Sequence, residues 1–152
     1  RAYAGSFLPR RFALNLQELG DGDAIRLGRW TIRGFRVPHF QKSLGFRLSM
    51  GAGKASGPSV AYTGDTEYGP NVVRMARGAD LFLAEASFPQ KLKVDWHLTP
   101  LLAGRLAREA GVKHLVLMHL YPPALRARPK EEARREFSGK LSLARDGMEF
   151  VL

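Results

Sequence analysis

Apolar runs that stop abruptly at a side chain able to bind a metal constrain this chain more than any other feature. Val60-Ala61-Tyr62-Thr63 runs into Gly64-Asp65-Thr66, and Leu115-Val116-Leu117-Met118 runs into His119. An alternating stretch from Trp30 through Val37-Pro38 ends in His39. Short runs rich in β-formers and closed by turn residues read as strands, here delivering a carboxylate and two imidazoles to strand ends. That donor set, nitrogen and oxygen without sulfur, suits a transition metal. Singly, each residue has a plainer explanation. Asp65 could cap its own turn or the helix starting at Pro70, His119 could be a core histidine bonded to backbone, and His39 could be a turn residue after Pro38.

Glu85 closes a further apolar run, Leu81-Phe82-Leu83-Ala84. A lone carboxylate there would be costly to ionise and calls for a partner. His97, just ahead of the helix start Thr99-Pro100, is the candidate, since a carboxylate that orients an imidazole builds a general acid or base. A purely structural pair joining loop to sheet is the alternative. His114, beside Lys113 at the head of its strand, reads as a surface residue.

The intervening residues supply a scaffold. Residues 1–12 read as a connector, and an extended segment with Phe12, Leu14, Leu16 and Leu19 breaks at Gly20-Asp21-Gly22-Asp23. Strands are expected over 24–27, 30–39 and 43–50, with Gly34 marking a bulge. The loop Gly51 to Pro58 feeds a strand rather than a helix, so it does not read as a phosphate cradle. Pro70 and Gly78 bracket a helix, 80–86 forms a buried strand, and Thr99, Pro100 and Gly111 delimit a second helix. Strand 114–118 follows, then a loop forced by Pro122-Pro123. Pro129 opens a third helix with Ala133 and Phe137 inward and Glu131 paired with Arg135. Strands over 140–144 and 148–152 flank the turn Arg145-Asp146-Gly147. Antiparallel strands first, then alternating helix and strand, imply an α+β fold with a mixed sheet and helices on one face.

Composition narrows the function classes. The 152 residues contain no cysteine, which removes disulfides and thiolate ligands and makes a reducing cytoplasm the default setting. No apolar stretch approaches the roughly 18 residues of a membrane span, so no membrane partner is expected. The formal charge of +10 points to a small anionic substrate or to nucleic acid. Much of the excess falls between Arg105 and Arg135, where helical spacing gives a solvated face. The chain opens at Arg1 without an initiator methionine, as expected of a piece of a longer protein.

Together, Tyr62-Thr63-Gly64-Asp65-Thr66, the stretch Gly78-Ala79-Asp80 through Glu85-Ala86-Ser87-Phe88, His97-Leu98-Thr99-Pro100 and Leu115 through His119 resemble successive motifs of the metallo-β-lactamase superfamily. Val37-Pro38-His39 with Ser43-Leu44-Gly45-Phe46-Arg47 is similar to the ribonuclease Z-like branch of metal-dependent hydrolases. The resemblance covers roughly residues 30–152. It implies half of a four-layer αβ/βα sandwich. It further implies metal ligands at His39 and His119, with Asp65 bridging two metals, and a proton-donating pair formed by His97 and Glu85. The metals implied are two Zn²⁺, with Mn²⁺ or Fe as alternatives, and the reaction is hydrolysis of a phosphodiester or related ester by a metal-activated hydroxide.

The family's first-half signature, His-x-His-x-Asp-His, is absent, because histidine occurs only at 39, 97, 114 and 119. Residues 1–152 are therefore expected to be the C-terminal portion of a single domain. Their sheet face would be covered by the protein's own N-terminal half or by a second copy, and the fragment alone should be inactive. The branch's tRNA-gripping insertion between the positions of His39 and Asp65 is also missing. A decayed nucleic-acid-binding or scaffolding module of the same fold is the alternative function.

Overall fold

The computed structural model describes residues 16–40, 42–51 and 57–152. The connector expected over 1–12 and most of the Gly51 to Pro58 loop lie outside the described residues. Seven strands form one sheet in chain order: β1 (Ala24–Leu27), β2 (Trp30–Val37), β3 (Ser43–Met50), β4 (Ser59–Tyr62), β5 (Leu81–Glu85), β6 (His114–Met118) and β7 (Lys140–Leu143). Pairing is antiparallel from β1 to β4 and parallel from β4 to β7. The switch at β4 follows from the connections, since parallel neighbours need a crossover and here each crossover carries a helix. α1 (Pro70–Ala76) joins β4 to β5, α2 (Pro100–Ala110) joins β5 to β6, and α3 (Pro122–Arg126) with α4 (Pro129–Arg134) joins β6 to β7. A single 3₁₀ turn, Gln90–Leu92, precedes α2.

Strand register sets which side chains meet the helices. Ala61, Phe82, Leu115 and Leu141 lie opposite one another in successive strands. They share a buried cluster with Val72 and Met75 of α1, Leu106 and Ala107 of α2, and Ala133 of α4. Full burial of one large apolar side chain contributes roughly 1.5–3 kcal/mol, so this row anchors all three crossovers to one face. α2 begins and ends where its caps dictate: the Thr99 hydroxyl accepts from Leu102 N at 3.2 Å, and Gly111 takes a left-handed conformation at φ 64°. Gly104 permits the close approach of α4, because a Cβ there would stand 2.5 Å from the Ala133 carbonyl oxygen.

The opposite face carries Phe46, Tyr62, Leu83 and Val116 in one register row. Val116 is fully buried and the other three are half-buried. The segment expected to form a strand over 148–152 does not pair. Instead Met148 and Phe150 join Leu83, Val116 and Met118 around a cavity of about 410 Å³ on this second face.

Other local expectations also change. His114 is buried at 8%, with Nε2 2.9 Å from Ser142 Oγ and Phe150 against its ring, because β7 and the tail enclose it. Pro122-Pro123 starts the short helix α3, since proline costs nothing where the N–H has no helical partner. Gly34 stays in regular register opposite Phe46 without a bulge; its missing Cβ instead makes room for the Gly20 carbonyl, which a Cβ would approach to 2.9 Å. Glu131 contacts Arg128 at 3.4 Å rather than Arg135, because α4 ends at Arg134 and an i,i+4 pair needs the helix to continue.

Candidate metal centre

Topology brings the candidate residues to one edge. β4, β5 and β6 are parallel, so the residues following them emerge together. β2 is antiparallel to β3, which is antiparallel to β4, so two reversals give β2 the same direction as β4. His39 after β2, Asp65 after β4, Glu85 at the end of β5 and His119 after β6 therefore share the C-terminal edge. His97 reaches the same edge from the loop before α2.

Local hydrogen bonds fix the turn that holds Asp65. Glu67 N donates to the Pro38 carbonyl at 2.7 Å, and the Thr66 hydroxyl, 2.8 Å from the Glu67 carbonyl to which it donates, lies 3.2 Å from the same Pro38 oxygen. Thr66 N donates to Glu85 Oε1 at 2.6 Å. The turn is thus tied to the end of β2 on one side and to β5 on the other. Gly64, at φ 61°, supplies the left-handed step after β4. His119 takes a left-handed conformation too, at φ 52°, ending β6 abruptly at the edge.

The residues converge in two overlapping groups. His39, Asp65 and His97 offer ligand atoms within 4.8 Å of one another, and so do Glu85, His97 and His119. Asp65 Oδ1 is 3.2 Å from His119 Nδ1, so one carboxylate reaches histidines on both sides. The His97 ring lies between the other two, with centroids 5.7 Å from His39 and 5.8 Å from His119. His97, read from sequence as half of a proton-donating pair, sits among the donors as well as beside Glu85.

Glu85 is the hub beneath them. It is 1% exposed, and its carboxylate accepts from Thr66 N, from the Ser87 hydroxyl at 2.6 Å and from His97 Nδ1 at 3.1 Å. Those bonds offset the cost of burying the ion. The same contacts settle the imidazole: Nδ1 donates to the carboxylate, which leaves Nε2 as the free ring nitrogen. Ser87 escaped the sequence reading as a functional residue. Its oxygen lies 3.3 Å from Nδ1 of both His97 and His119 while its proton goes to Glu85. Its place two residues past Glu85, on the same side of an extended chain, was the available signal.

The donor chemistry fits a divalent cation: imidazoles and a carboxylate, with no thiolate. His39 Nδ1 is the only buried side-chain nitrogen or oxygen without a hydrogen-bond partner among the described residues. The ring of His39 is therefore not committed through Nδ1 to a protein partner, and it offers one of its nitrogens within 4.8 Å of ligand atoms of Asp65 and His97. Exposed aromatic residues flank the site, Phe40 after His39, Trp96 before His97, and Tyr121 with its ring 5.2 Å from that of His119.

Residues 2–120 match the model of the β-lactamase superfamily domain. An uncharacterized protein of Mycobacterium tuberculosis is 40% identical over 121 residues, covering 78% of this chain and 43% of the relative. The ribonuclease Z of Archaeoglobus fulgidus is 28% identical over 159 residues, covering 72% of this chain and 52% of the relative. Among solved structures, the metallo-β-lactamase fold protein YhfI of Bacillus subtilis superposes with a TM-score of 0.74 at 26% identity, over 86% of this chain and 53% of that one. The chain thus spans about half the length of the relatives it matches.

Proposed function

Because the chain belongs to the metallo-β-lactamase superfamily, we propose that it is the C-terminal part of a metal-dependent hydrolase acting on a phosphodiester or related ester. The observation that carries this is the convergence of His39, Asp65, His97 and His119 above the buried Glu85. A scaffold that had lost its chemistry would have no reason to keep a desolvated carboxylate under a histidine cluster.

In this reading His39 and His119 would hold the metals, and Asp65, within reach of histidines on either side, would be the carboxylate shared between them. When bound, two Zn²⁺, Mn²⁺ or Fe ions lower the pKa of water and polarise the substrate's oxygens. Glu85 keeps the proton of His97 on Nδ1, and Ser87 and Thr66 keep Glu85 in place. With one proton held on Nδ1, His97 would first take up a second proton at Nε2 from solvent, and would then give that Nε2 proton to the leaving oxygen and return to the neutral ring. A phosphodiester is favoured over a lactam or thioester by the likeness to a ribonuclease Z and by the net charge of +10.

A dinuclear site needs more ligands than this chain offers, since even a catalytic zinc takes about three from protein. The remaining ligands come from an N-terminal half that also covers the half-buried second face of the sheet, a role a second copy could share. The described residues contain no helix long and apolar enough to cross a membrane, and the cysteine-free sequence fits a cytoplasmic setting.

The test is hydrolysis by the full-length protein of bis(p-nitrophenyl) phosphate, a chromogenic lactam and a thioester, each with and without chelator. Chelator-sensitive turnover of the phosphodiester is expected to exceed the other two. Turnover of the lactam or thioester alone, or no metal dependence, would overturn the reading.

A further inference from the structure

A groove of about 770 Å³ lies between the segment Pro89 to Leu92 and helices α3 and α4. Its polar lining is mostly cationic: Lys91, Arg126, Arg128 and Arg135, against Glu131 and Glu132. The two acids are already engaged. Glu131 contacts Arg128 at 3.4 Å, and Glu132, buried at 7%, accepts from Gln90 N at 2.6 Å. Lys91, Arg126 and Arg135 are exposed, and among the described residues none has a carboxylate within ion-pair distance. Unpaired cations in a concave surface focus their field on an anion better than the same charges on a convex one.

The groove is built and placed for use. Gln90, held by Glu132, also accepts the Thr99 hydroxyl at 2.7 Å, so its wall is tied both to α4 and to the start of α2. Phe88, immediately before Pro89, stacks on Tyr121 with centroids 5.0 Å apart and planes 11° from parallel. Tyr121 in turn touches His119 and immediately precedes Pro122-Pro123. One aromatic pair therefore separates the metal centre from the groove.

We propose that this groove is a second anion subsite, which holds a phosphate of the substrate beyond the scissile linkage and makes the protein prefer phosphodiesters that carry additional phosphate. The inference rests on the phosphodiester reading for its ligand but not for its residues. Charge-assisted bonds from two or three guanidinium and ammonium groups are strong enough to be read as an affinity difference.

The probes are thymidylyl-thymidine, with a single phosphodiester, and its forms bearing an added 5′ or 3′ phosphate. Dissociation constants are measured calorimetrically on the full-length protein with metal chelated, and kcat/KM is measured on the metal-loaded protein. One phosphorylated form is expected to bind about tenfold more tightly than the parent compound, an advantage that shrinks as salt rises from about 50 to about 200 mM. The double variant Arg126→Glu/Arg135→Glu should lose most of that advantage. Arg26→Glu/Arg29→Glu, which makes the same change in net charge at the far edge of the sheet, should keep it. Equal binding of all three compounds, or an equal loss in both double variants, would overturn the subsite. Tighter binding of a phosphorylated form, lost only in the groove variant, with no cleavage of any compound would support the subsite while sinking the hydrolase reading.

Discussion

His97 Nδ1 lies 3.1 and 3.2 Å from the two carboxylate oxygens of Glu85, a residue 1% exposed at the end of β5. A buried carboxylate facing one ring nitrogen fixes the tautomer and leaves the other nitrogen for chemistry. In the full-length protein, His97→Ala should lower turnover by about 10²–10⁴-fold, the range of a positioned general acid, with metal content nearly intact. Metal lost to the same extent as in Asp65→Ala would make His97 a ligand instead.

Ser87 donates to Glu85 at 2.6 Å and stands 3.3 Å from the Nδ1 atoms of both His97 and His119. Removing a hydrogen bond to a buried ion costs about 1.5–3 kcal/mol. Ser87→Ala should therefore lower stability by about that much in urea unfolding and reduce kcat, while Ser87→Thr, which restores a hydroxyl, should recover part of the kcat. Stability and turnover both unchanged in Ser87→Ala would show that the hydroxyl neither supports Glu85 nor orders the histidines.

His114 links the sheet to the C-terminal tail, and burial holds its pKa below the usual histidine value, with the nearby Lys140 charge adding to the effect. Above about pH 6.5 the ring is neutral in both folded and unfolded chains and contributes no pH dependence. As pH falls below that value the unfolded chain takes up a proton that the folded protein refuses. Stability is lost until the folded pKa is passed. Between about pH 7.5 and about pH 5.5 the parent should lose more unfolding free energy than His114→Gln, as measured by denaturant titration at each pH. Parallel curves for the two proteins would remove His114 from the account.

Gly104 sits where α2 crosses α4, with no room for a Cβ because the obstacle is the Ala133 backbone. On an isolated helix Gly→Ala would stabilise by about 1 kcal/mol. Overpacking against a fixed backbone costs about 1–3 kcal/mol, so Gly104→Ala should be less stable than the parent. A raised unfolding midpoint would mean that the two helices separate at little cost.

Much of this was readable from local signals. The caps of α2 at Thr99 and Gly111, the strand ends at Asp65, Glu85 and His119, and the change from hairpins to crossovers all depend on residues close in sequence. What was not readable depends on tertiary neighbours. His114 looks exposed beside Lys113 until β7 and Phe150 enclose it, and Met148 to Leu152 has the composition of a strand yet finds the second face rather than a partner edge. Ser87 shows no chemistry of its own until Glu85, His97 and His119 surround it. Arg126 and Arg135 read as parts of a solvated face, and only the positions of α3 and α4 place them in one groove.

In the proposed site Asp65, with His39 and His119, holds catalytic metal. The most direct measurement is the metal content of the full-length parent and of Asp65→Ala, by plasma mass spectrometry after equilibrium dialysis against Zn²⁺. About two equivalents are expected in the parent, as a dinuclear site requires, and fewer than about one in the variant with its circular dichroism unchanged. A well-folded Asp65→Ala protein that retains as much metal as the parent would contradict the account.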